Sequence, residues 1–149
     1  MTPYWSSLPI MGEQVDSGVL ESLAGNVGAL AERMGIVVTE ATPERVVATM
    51  PVAGNTQPFG LLHGGASCVL AETVGSVAAT LHAGRLFGGY ALGVEISATH
   101  HRGARDGVVT GVATPLHLGG LVATYEIVIT DSDGQRICTA RLTCLLRKP

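Results

Sequence analysis

The sequence predicts an α+β domain in which an antiparallel sheet wraps around one long buried helix. The first observation is the segment from Ala66 to Leu81, which is apolar almost throughout and rich in Ala, Leu and Val. It is too long for a strand and indicates a helix, and a helix that is apolar on nearly every side must be buried on nearly every side. The second observation is a series of alternating segments joined by short turns, which is typical of an antiparallel sheet.

Three predicted elements precede the long helix. Val19 to Met34 has apolar residues near the period of an amphipathic helix, which Gly35 ends. Residues 36–40 and 45–52 are rich in β-forming residues and are joined by a Thr-Pro-Glu turn, so they predict a hairpin. Residues 1–18 are expected to form an irregular lead-in.

Four strands are predicted after the long helix. In the first, apolar residues alternate, and one face is predicted to lie against the core: Tyr90, Leu92, Val94, Ile96 and Ala98. Residues 108–114 return the chain after a turn. Residues 121–130 alternate again, with one apolar side: Leu121, Ala123, Tyr125, Ile127 and Ile129. An Asp-Ser-Asp-Gly turn at 131–134 leads into the last strand, 135–146.

Composition limits the classes of function. The 149 residues predict a single domain, 1–149, and the hydrophobic fraction of 46% against 14% charged residues is expected where protomers associate. The net charge of −3 gives no reason to expect nucleic acid or an anionic membrane as a partner. The run from 64 to 81 carries Glu72 and lacks aromatic or basic flanks, so a membrane span is not expected.

The cysteines and the N-terminus bear on the location of the protein. Three cysteines without a Cys-x-x-Cys spacing favour reduced thiols over a disulfide or zinc site. Residues 1–10 show no pattern of a signal peptide. We therefore expect a cytoplasmic protein. No metal site is predicted, because the histidines at 82, 100, 101 and 117 do not have the spacing of a ligand set.

Two residues of the long helix are candidates for catalysis. Glu72 is the only carboxylate between His63 and His82, and a buried carboxylate is costly unless it is paired, hydrogen-bonded or used in chemistry. Gly64 stands where the helix would begin, and the free N–H groups there, with the positive end of the helix dipole, can hold an oxyanion. The structural alternatives are a paired carboxylate and a tight turn.

The spacing of these two residues predicts a dimer. Glu72 lies eight residues beyond Gly64, roughly 12 Å along the helix axis at about 1.5 Å per residue. One reacting carbonyl cannot contact both groups within a single chain. If both act on it, two chains must share the site across a two-fold axis.

A family resemblance rests on the same stretch. The string Gln-Pro-Phe-Gly-Leu-Leu-His-Gly-Gly-Ala at 57–66, followed by Leu-Ala-Glu at 70–72 and by Ser76, resembles the hotdog-fold acyl-CoA thioesterases. The nearest groups are the phenylacetate-pathway (PaaI-like) family and the Arthrobacter-type 4-hydroxybenzoyl-CoA thioesterase. The order of elements resembles this family over residues 20–147, and the motif identity is concentrated in residues 55–76.

The resemblance implies a fold, an assembly and catalytic roles. It implies a hotdog fold, a dimer with a continuous sheet or a dimer of dimers, an acyl-CoA substrate and no cofactor. Gly64 would donate its N–H to the thioester oxygen, and Glu72 would act from the opposite subunit as nucleophile or general base. Gln57 and His63 would line the reacting end, and Ser76 would lie near the carboxylate and its water. The structural alternatives are a capping role for His63 and a hydroxyl of Ser76 bonded to its own helix.

The resemblance also implies substrate contacts. Arg102 matches a basic position near the CoA phosphates, although an exposed Arg is more often solvated. Gly119 and Gly120 stand where the Arthrobacter-type enzyme has hydroxyl residues that hold the nucleotide, so only their backbone donors are available here. His100 and His101 replace aromatic residues that are common before the Arg. Asn55 and Gly65 complete the candidate substrate-binding residues.

The sequence therefore predicts an acyl-CoA thioesterase for aryl or medium-chain acyl groups. Two alternatives are a hotdog enoyl-acyl hydratase or dehydratase, and a non-catalytic acyl-CoA-binding protein. The sequence leaves open the acyl group, the choice between dimer and tetramer, the choice between nucleophile and base for Glu72, and the mode of nucleotide binding.

Overall fold

The computed structural model of the chain describes residues 26–149. Within this range two helices and six strands follow in order: α1 (Ala29–Arg33), β1 (Val37–Ala41), β2 (Val46–Pro51), α2 (Gly64–Phe87), β3 (Tyr90–His100), β4 (Val108–Leu118), β5 (Val122–Thr130) and β6 (Arg136–Arg147). This order confirms the predicted elements. The irregular lead-in, 1–18, and residues 19–25 of the predicted helix 19–34 lie outside the described residues. Within the described part of that helix, α1 is shorter than predicted, since it spans only Ala29–Arg33.

All pairings in the sheet are antiparallel. The strand order is β1-β2-β4-β5-β6-β3, so β3 leaves α2 and crosses to the edge of the sheet beside β6. The sheet curves around α2, which packs against all six strands. The predicted α+β class, an antiparallel sheet around one long helix, is confirmed.

Helix α2 is bounded by two recognisable caps. The ring of His63 caps its start, where Nδ1 accepts a hydrogen bond from the Gly65 N–H at 2.8 Å. Gly88 ends it in the left-handed conformation, with φ of 69°, which glycine adopts without the steric cost of a Cβ. By length and composition α2 could also cross a membrane, but its contacts with every strand make it the core helix of this domain.

The expectation that α2 is buried on nearly every side holds only for the side that faces the sheet. That side is formed largely by small residues, and its buried members include Leu70, Val74, Gly75, Ala78 and Ala79. The other side, which carries Val69 and Val77, is half-buried in the single chain. The described residues, 26–149, leave this side of the apolar helix only partly covered.

The predicted inner side of β5 is confirmed. Ala123, Tyr125, Ile127 and Ile129 are all fully buried, whereas Leu121 precedes the strand and is exposed. The hydroxyl of Tyr125 donates a hydrogen bond to the Pro43 carbonyl at 2.8 Å, which ties β5 to the turn between β1 and β2. Burial raises the pKa of this phenol, so it stays protonated and keeps its donor role.

The predicted inner face of β3 is wrong in its first half. A bulge between Gly93 and Glu95 inserts Val94 into the strand and shifts the pairing with β6. Ile96 and Ala98 lie opposite buried residues of β6 and face α2, as predicted. Before the bulge, however, Ala91 and Gly93 face α2, and Tyr90 and Leu92 lie on the outer face. A strict period of two cannot represent this change of phase.

Close packing between α2 and β6 generates a stability prediction. A Cβ on Gly75 would lie 2.5 Å from Cδ2 and 3.3 Å from Cβ of the fully buried Leu142, whereas a Cβ on Gly84 would meet only a backbone oxygen at 4.0 Å. We expect Gly75→Ala to lower the free energy of unfolding by about 1–3 kcal/mol relative to Gly84→Ala, because it overpacks the core. Urea unfolding of both variants measures this difference. Equal stabilities would contradict the packing described here.

Candidate active site

The loop before α2 is held by the amide of Asn55. The side-chain Nδ2 donates to the carbonyls of Met34 and Pro51, both at 2.8 Å, and the backbone carbonyl of Asn55 accepts the N–H of His63 at 2.8 Å. A further hydrogen bond joins the Leu62 N–H to the Ala104 carbonyl at 2.7 Å. The structure therefore gives Asn55, a candidate substrate-binding residue, the task of fixing the loop that carries the start of the helix.

The first turn of α2 leaves one amide unused. The Gly65 N–H is bound by the ring of His63, and the carbonyl of His63 accepts the N–H groups of Ala66 at 2.9 Å and Ser67 at 3.3 Å. Among the residues that the structure describes, the N–H of Gly64 has no hydrogen-bond partner. It lies at the positive end of a 24-residue helix, which favours a negative or developing negative charge.

The cap also determines the tautomer of a neutral His63 ring. Because Nδ1 accepts the Gly65 N–H, a neutral ring carries its proton on Nε2. The ring of His63 thereby binds the N–H of Gly65 and leaves the N–H of Gly64 available to a ligand. Its ring is exposed, so Nε2 can still donate to a molecule bound at the helix start.

A cavity of about 350 Å³ opens at this end of the helix. Its polar lining includes Gln57, Gly64, His100, His101 and Arg102. The carboxamide oxygen of Gln57 accepts the Phe59 N–H. The cavity thus brings together three of the residues predicted for the reacting end and the CoA phosphates.

His100 is the residue that sequence reasoning missed. Its imidazole lies directly over Gly64, where a Cβ on that glycine would be 2.8 Å from Nε2 of His100. The strand β3 brings it there, because His100 lies opposite the buried Cys138 and shares the inner face with Ile96 and Ala98. The alternation of β3, extended by two residues, could have identified it.

Arg102 lies at the rim of the cavity. Its Nη1 donates to Oε1 of Gln135 at 2.9 Å, and its side chain is exposed. Beside it, Nε2 of His101 lies 3.0 Å from Oγ1 of Thr139. A guanidinium held at the mouth in this way can meet a phosphate without being desolvated.

Glu72 and Ser76 lie on the side of α2 that faces β3 and β6. The hydroxyl of Ser76 donates to Oε1 of Glu72 at 3.0 Å, so the prediction that these two residues are neighbours agrees with the structure. Within residues 26–149 no ion pair involves Glu72, which is half-buried. Burial, and after it the nearby charge of Glu72, raise the pKa of the Cys144 thiol to about 11, although a hydrogen bond with Ser76 opposes the rise.

Gly119 and Gly120 lie at the other end of the helix. The Gly119 N–H donates to the Val122 carbonyl at 3.0 Å, and the Gly119 carbonyl accepts from Nε2 of the buried His82 at 2.9 Å. His82 is eighteen residues beyond Gly64, or roughly 27 Å along the axis. Within one chain the structure therefore separates these glycines from the cavity at the helix start.

No metal centre emerges from the part of the chain that the structure describes, since residues 26–149 contain no group of three or more His, Cys, Asp or Glu side chains that could hold an ion.

Comparisons with known proteins agree with the fold and the motif. The model of the thioesterase superfamily matches residues 59–138. The proofreading thioesterase EntH from Cronobacter sakazakii is 52% identical over 126 residues, which span 83% of this chain and 90% of that protein. The thioesterase HI1161 from Haemophilus influenzae has a TM-score of 0.82 at 35% identity, over 91% of this chain and 94% of that chain.

A third protein, the thioesterase SAV0944 from Staphylococcus aureus, has a TM-score of 0.74 at 34% identity, over 82% of this chain and all of that chain. One of its solved structures has a Gln replaced by Ala, and another has a Glu fifteen positions later replaced by Ala. The present chain belongs to the thioesterase superfamily: it is a hotdog-fold thioester hydrolase, and these comparisons support acyl-CoA thioesters as its class of substrate.

Proposed function

We propose that Glu72 of one protomer and the Gly64 N–H of its partner act on the same acyl-CoA thioester. The observation that carries the proposal is the Gly64 amide at the helix start, which has no partner among residues 26–149 and lies roughly 12 Å from Glu72 along a rigid helix axis. Gln57 and Glu72 are also fifteen positions apart, the separation of the Gln and Glu replaced in the Staphylococcus aureus protein.

Strand β3 supports a dimer built from two copies of this chain. It is an edge strand of eleven residues, and it exposes Leu92 (52%), Val94 (61%) and Ile96 (36%). A long apolar edge that is not blocked by lysine or proline is suited to pairing with another strand. Two copies of β3 paired across a two-fold axis would make the sheet continuous and bring the half-buried sides of the two α2 helices together.

In this dimer each site would combine an oxyanion donor from one protomer with a carboxylate from the other. The Gly64 N–H binds the thioester oxygen and stabilises the negative charge that develops there, with the His100 imidazole above it as a second donor. Glu72 takes a proton from water as the water oxygen bonds to the acyl carbon. The carbon–sulfur bond then breaks, and the proton held by Glu72 passes to the sulfur, so that CoA leaves as a thiol and the carboxylate is restored. Direct attack by Glu72, with an anhydride that water then opens, is the alternative path.

The remaining candidates have supporting roles in this scheme. Ser76 holds one oxygen of Glu72 and leaves the other for water or substrate. Gln57 lines the cavity and His63 caps the helix start beside it, so both would border the reacting end of the substrate, and Arg102 would meet the CoA phosphates at the mouth. Gly119 and Gly120 would reach a substrate only from another protomer, because they lie far from Gly64 in their own chain.

We also propose a single domain over residues 1–149, no cofactor and a cytoplasmic location. The three cysteines are free thiols, and burial, as the main cause, raises the pKa of Cys138 and of Cys144 to about 11. Free thiols are typical of a reducing compartment. Aryl and medium-chain acyl groups are the proposed substrates, and thiol release from benzoyl-, phenylacetyl- and octanoyl-CoA tests them. Addition of water to an enoyl-CoA without thiol release would favour the hydratase instead.

Replacement of the carboxylate tests the base. We expect Glu72→Gln to lower kcat by about 10² or more, because the amide cannot accept the proton of water or attack the acyl carbon. Thiol release at saturating acyl-CoA measures this effect. Glu40→Gln is the matched control, since Glu40 forms only an exposed ion pair with Arg45 at 3.1 Å. Wild-type turnover in Glu72→Gln would remove Glu72 from the mechanism.

Replacement of Gly64 isolates its N–H. Proline is tolerated at the first position of a helix and lacks the N–H, whereas alanine places a similar Cβ beside His100 and keeps the N–H. We expect Gly64→Pro to be slower than Gly64→Ala by about 10²–10³ in kcat, the usual effect of losing an oxyanion donor. Steady-state assays of both variants give this ratio. Equal rates would show that the amide does not bind the oxyanion.

Mixing two inactive variants tests whether the site is shared. In a heterodimer of Glu72→Gln with Gly64→Pro, one of the two sites keeps both groups and the other loses both. Random pairing of an equal mixture should therefore restore about a quarter of the wild-type activity if the site lies between chains. Co-expression followed by purification of the mixture provides the sample. Failure to recover any activity, with heterodimers present by mass, would place each site within one chain.

A further inference from the structure

Strand β3 lacks a side chain at the point where it crosses Glu72. Gly93 faces α2 and lies opposite the buried Cys144 of β6. A Cβ on Gly93 would overlap Oε1 of Glu72 and would lie 3.1 Å from Cδ and 3.4 Å from Oε2. All three terminal atoms of the carboxylate therefore border the space that a side chain at Gly93 would fill.

The backbone does not itself require a glycine at this position. The glycines with positive φ in the described residues are 28, 35, 54, 60, 88, 107 and 134, so Gly93 has a conformation that other residues adopt. A side chain at this position would therefore meet the flexible end of Glu72 without straining the backbone, and the carboxylate would have to move.

The bulge isolates this gap along the strand. Because Val94 is inserted after Gly93, the next inward residue is Ile96, and the previous one is Ala91. Both have a Cβ, so Gly93 is the one opening on the inner face of β3 at the level of Glu72. Bulges commonly re-aim side chains beside active sites.

We propose that Gly93 is a positioning residue for the thioesterase reaction. The missing Cβ lets the carboxylate of Glu72 lie against the backbone of the edge strand, on the border where a second copy of the chain would approach. The inference rests on the catalytic role proposed for Glu72. With a methyl group at this position the carboxylate must turn away from β3, and it loses either its hydrogen bond with Ser76 or its reach across the border.

The variant Gly93→Ala tests this role directly. We expect kcat to fall by about 10–10², because a shift of roughly 1 Å in a reacting group costs that much, while KM changes much less. Gly84→Ala is the matched control, because a Cβ there would meet only a backbone oxygen at 4.0 Å and Gly84 lies outside the site. Wild-type kcat in Gly93→Ala would overturn the proposal.

A double-mutant cycle separates positioning from a general structural role. In a Glu72→Ala background the carboxylate is gone, so adding Gly93→Ala should change the residual activity less than twofold. The same fold loss in both backgrounds would overturn the proposal. If Glu72→Ala alone keeps wild-type activity, the proposed function fails instead, so the two failures are distinguishable.

Thermal unfolding covers the case in which Gly93→Ala folds poorly. The steric conflict lies with the side chain of Glu72, so Gly93→Ala should lower the Tm in the wild-type background and have little effect on the Tm when Glu72→Ala removes that side chain. A double variant that unfolds as easily as Gly93→Ala, or that fails to fold, would show that Gly93 is required for a reason unrelated to Glu72.

Discussion

The packing of α2 against the concave face of the sheet is the constraint on which the site depends. Small residues make the close approach possible: Gly75 lies against Leu142 of β6, and Gly111 of β4 lies against Leu70 of the helix. The buried apolar area of these contacts holds the helix axis relative to all six strands. Because the axis is fixed, the position of the first turn and the position of Glu72 are fixed with it.

One helix therefore supplies two chemically opposite groups at a set separation. Its start supplies an N–H at the positive end of the dipole, and its middle supplies a carboxylate. The rigidity that positions each group also keeps them apart, so under the proposed function the helix of one protomer would supply only half of a site. The apolar strand β3 is at the edge of the sheet formed by residues 26–149 and lies directly beside that carboxylate. In the proposed dimer it is the surface on which the second half would assemble.

Some polar residues of the motif hold the backbone or the carboxylate in place, and the others are the proposed reacting groups. Asn55 and His63 satisfy backbone groups of the loop and of the first turn, and this leaves the Gly64 amide as the donor without a partner in the described residues. Ser76 satisfies one carboxylate oxygen. These hydrogen bonds hold the Gly64 amide and the Glu72 carboxylate in place. A donor or acceptor that is already in place stabilises a developing charge without reorganising during the reaction.

The sequence by itself determined the class of the fold, the order of the elements, the helix start at Gly64 and the candidates Gly64 and Glu72. These features depend on local properties: periodicity, turn residues, and the cost of a charge on an apolar helix. The isolated Gly93 within a strand pattern was also a local signal of a bulge or a close approach, although its consequence for the face of β3 could not be read from the alternation alone.

Only the tertiary structure decided which groups are free and which neighbours they have. It placed His100 over Gly64 and Gly119 beside His82, and it put Glu72 against Gly93. Each of these contacts joins residues that are distant in the chain, and each depends on the register between β3 and β6 or on the depth at which α2 sits in the sheet. Register and depth result from packing the whole core at once, and no short stretch of sequence contains them.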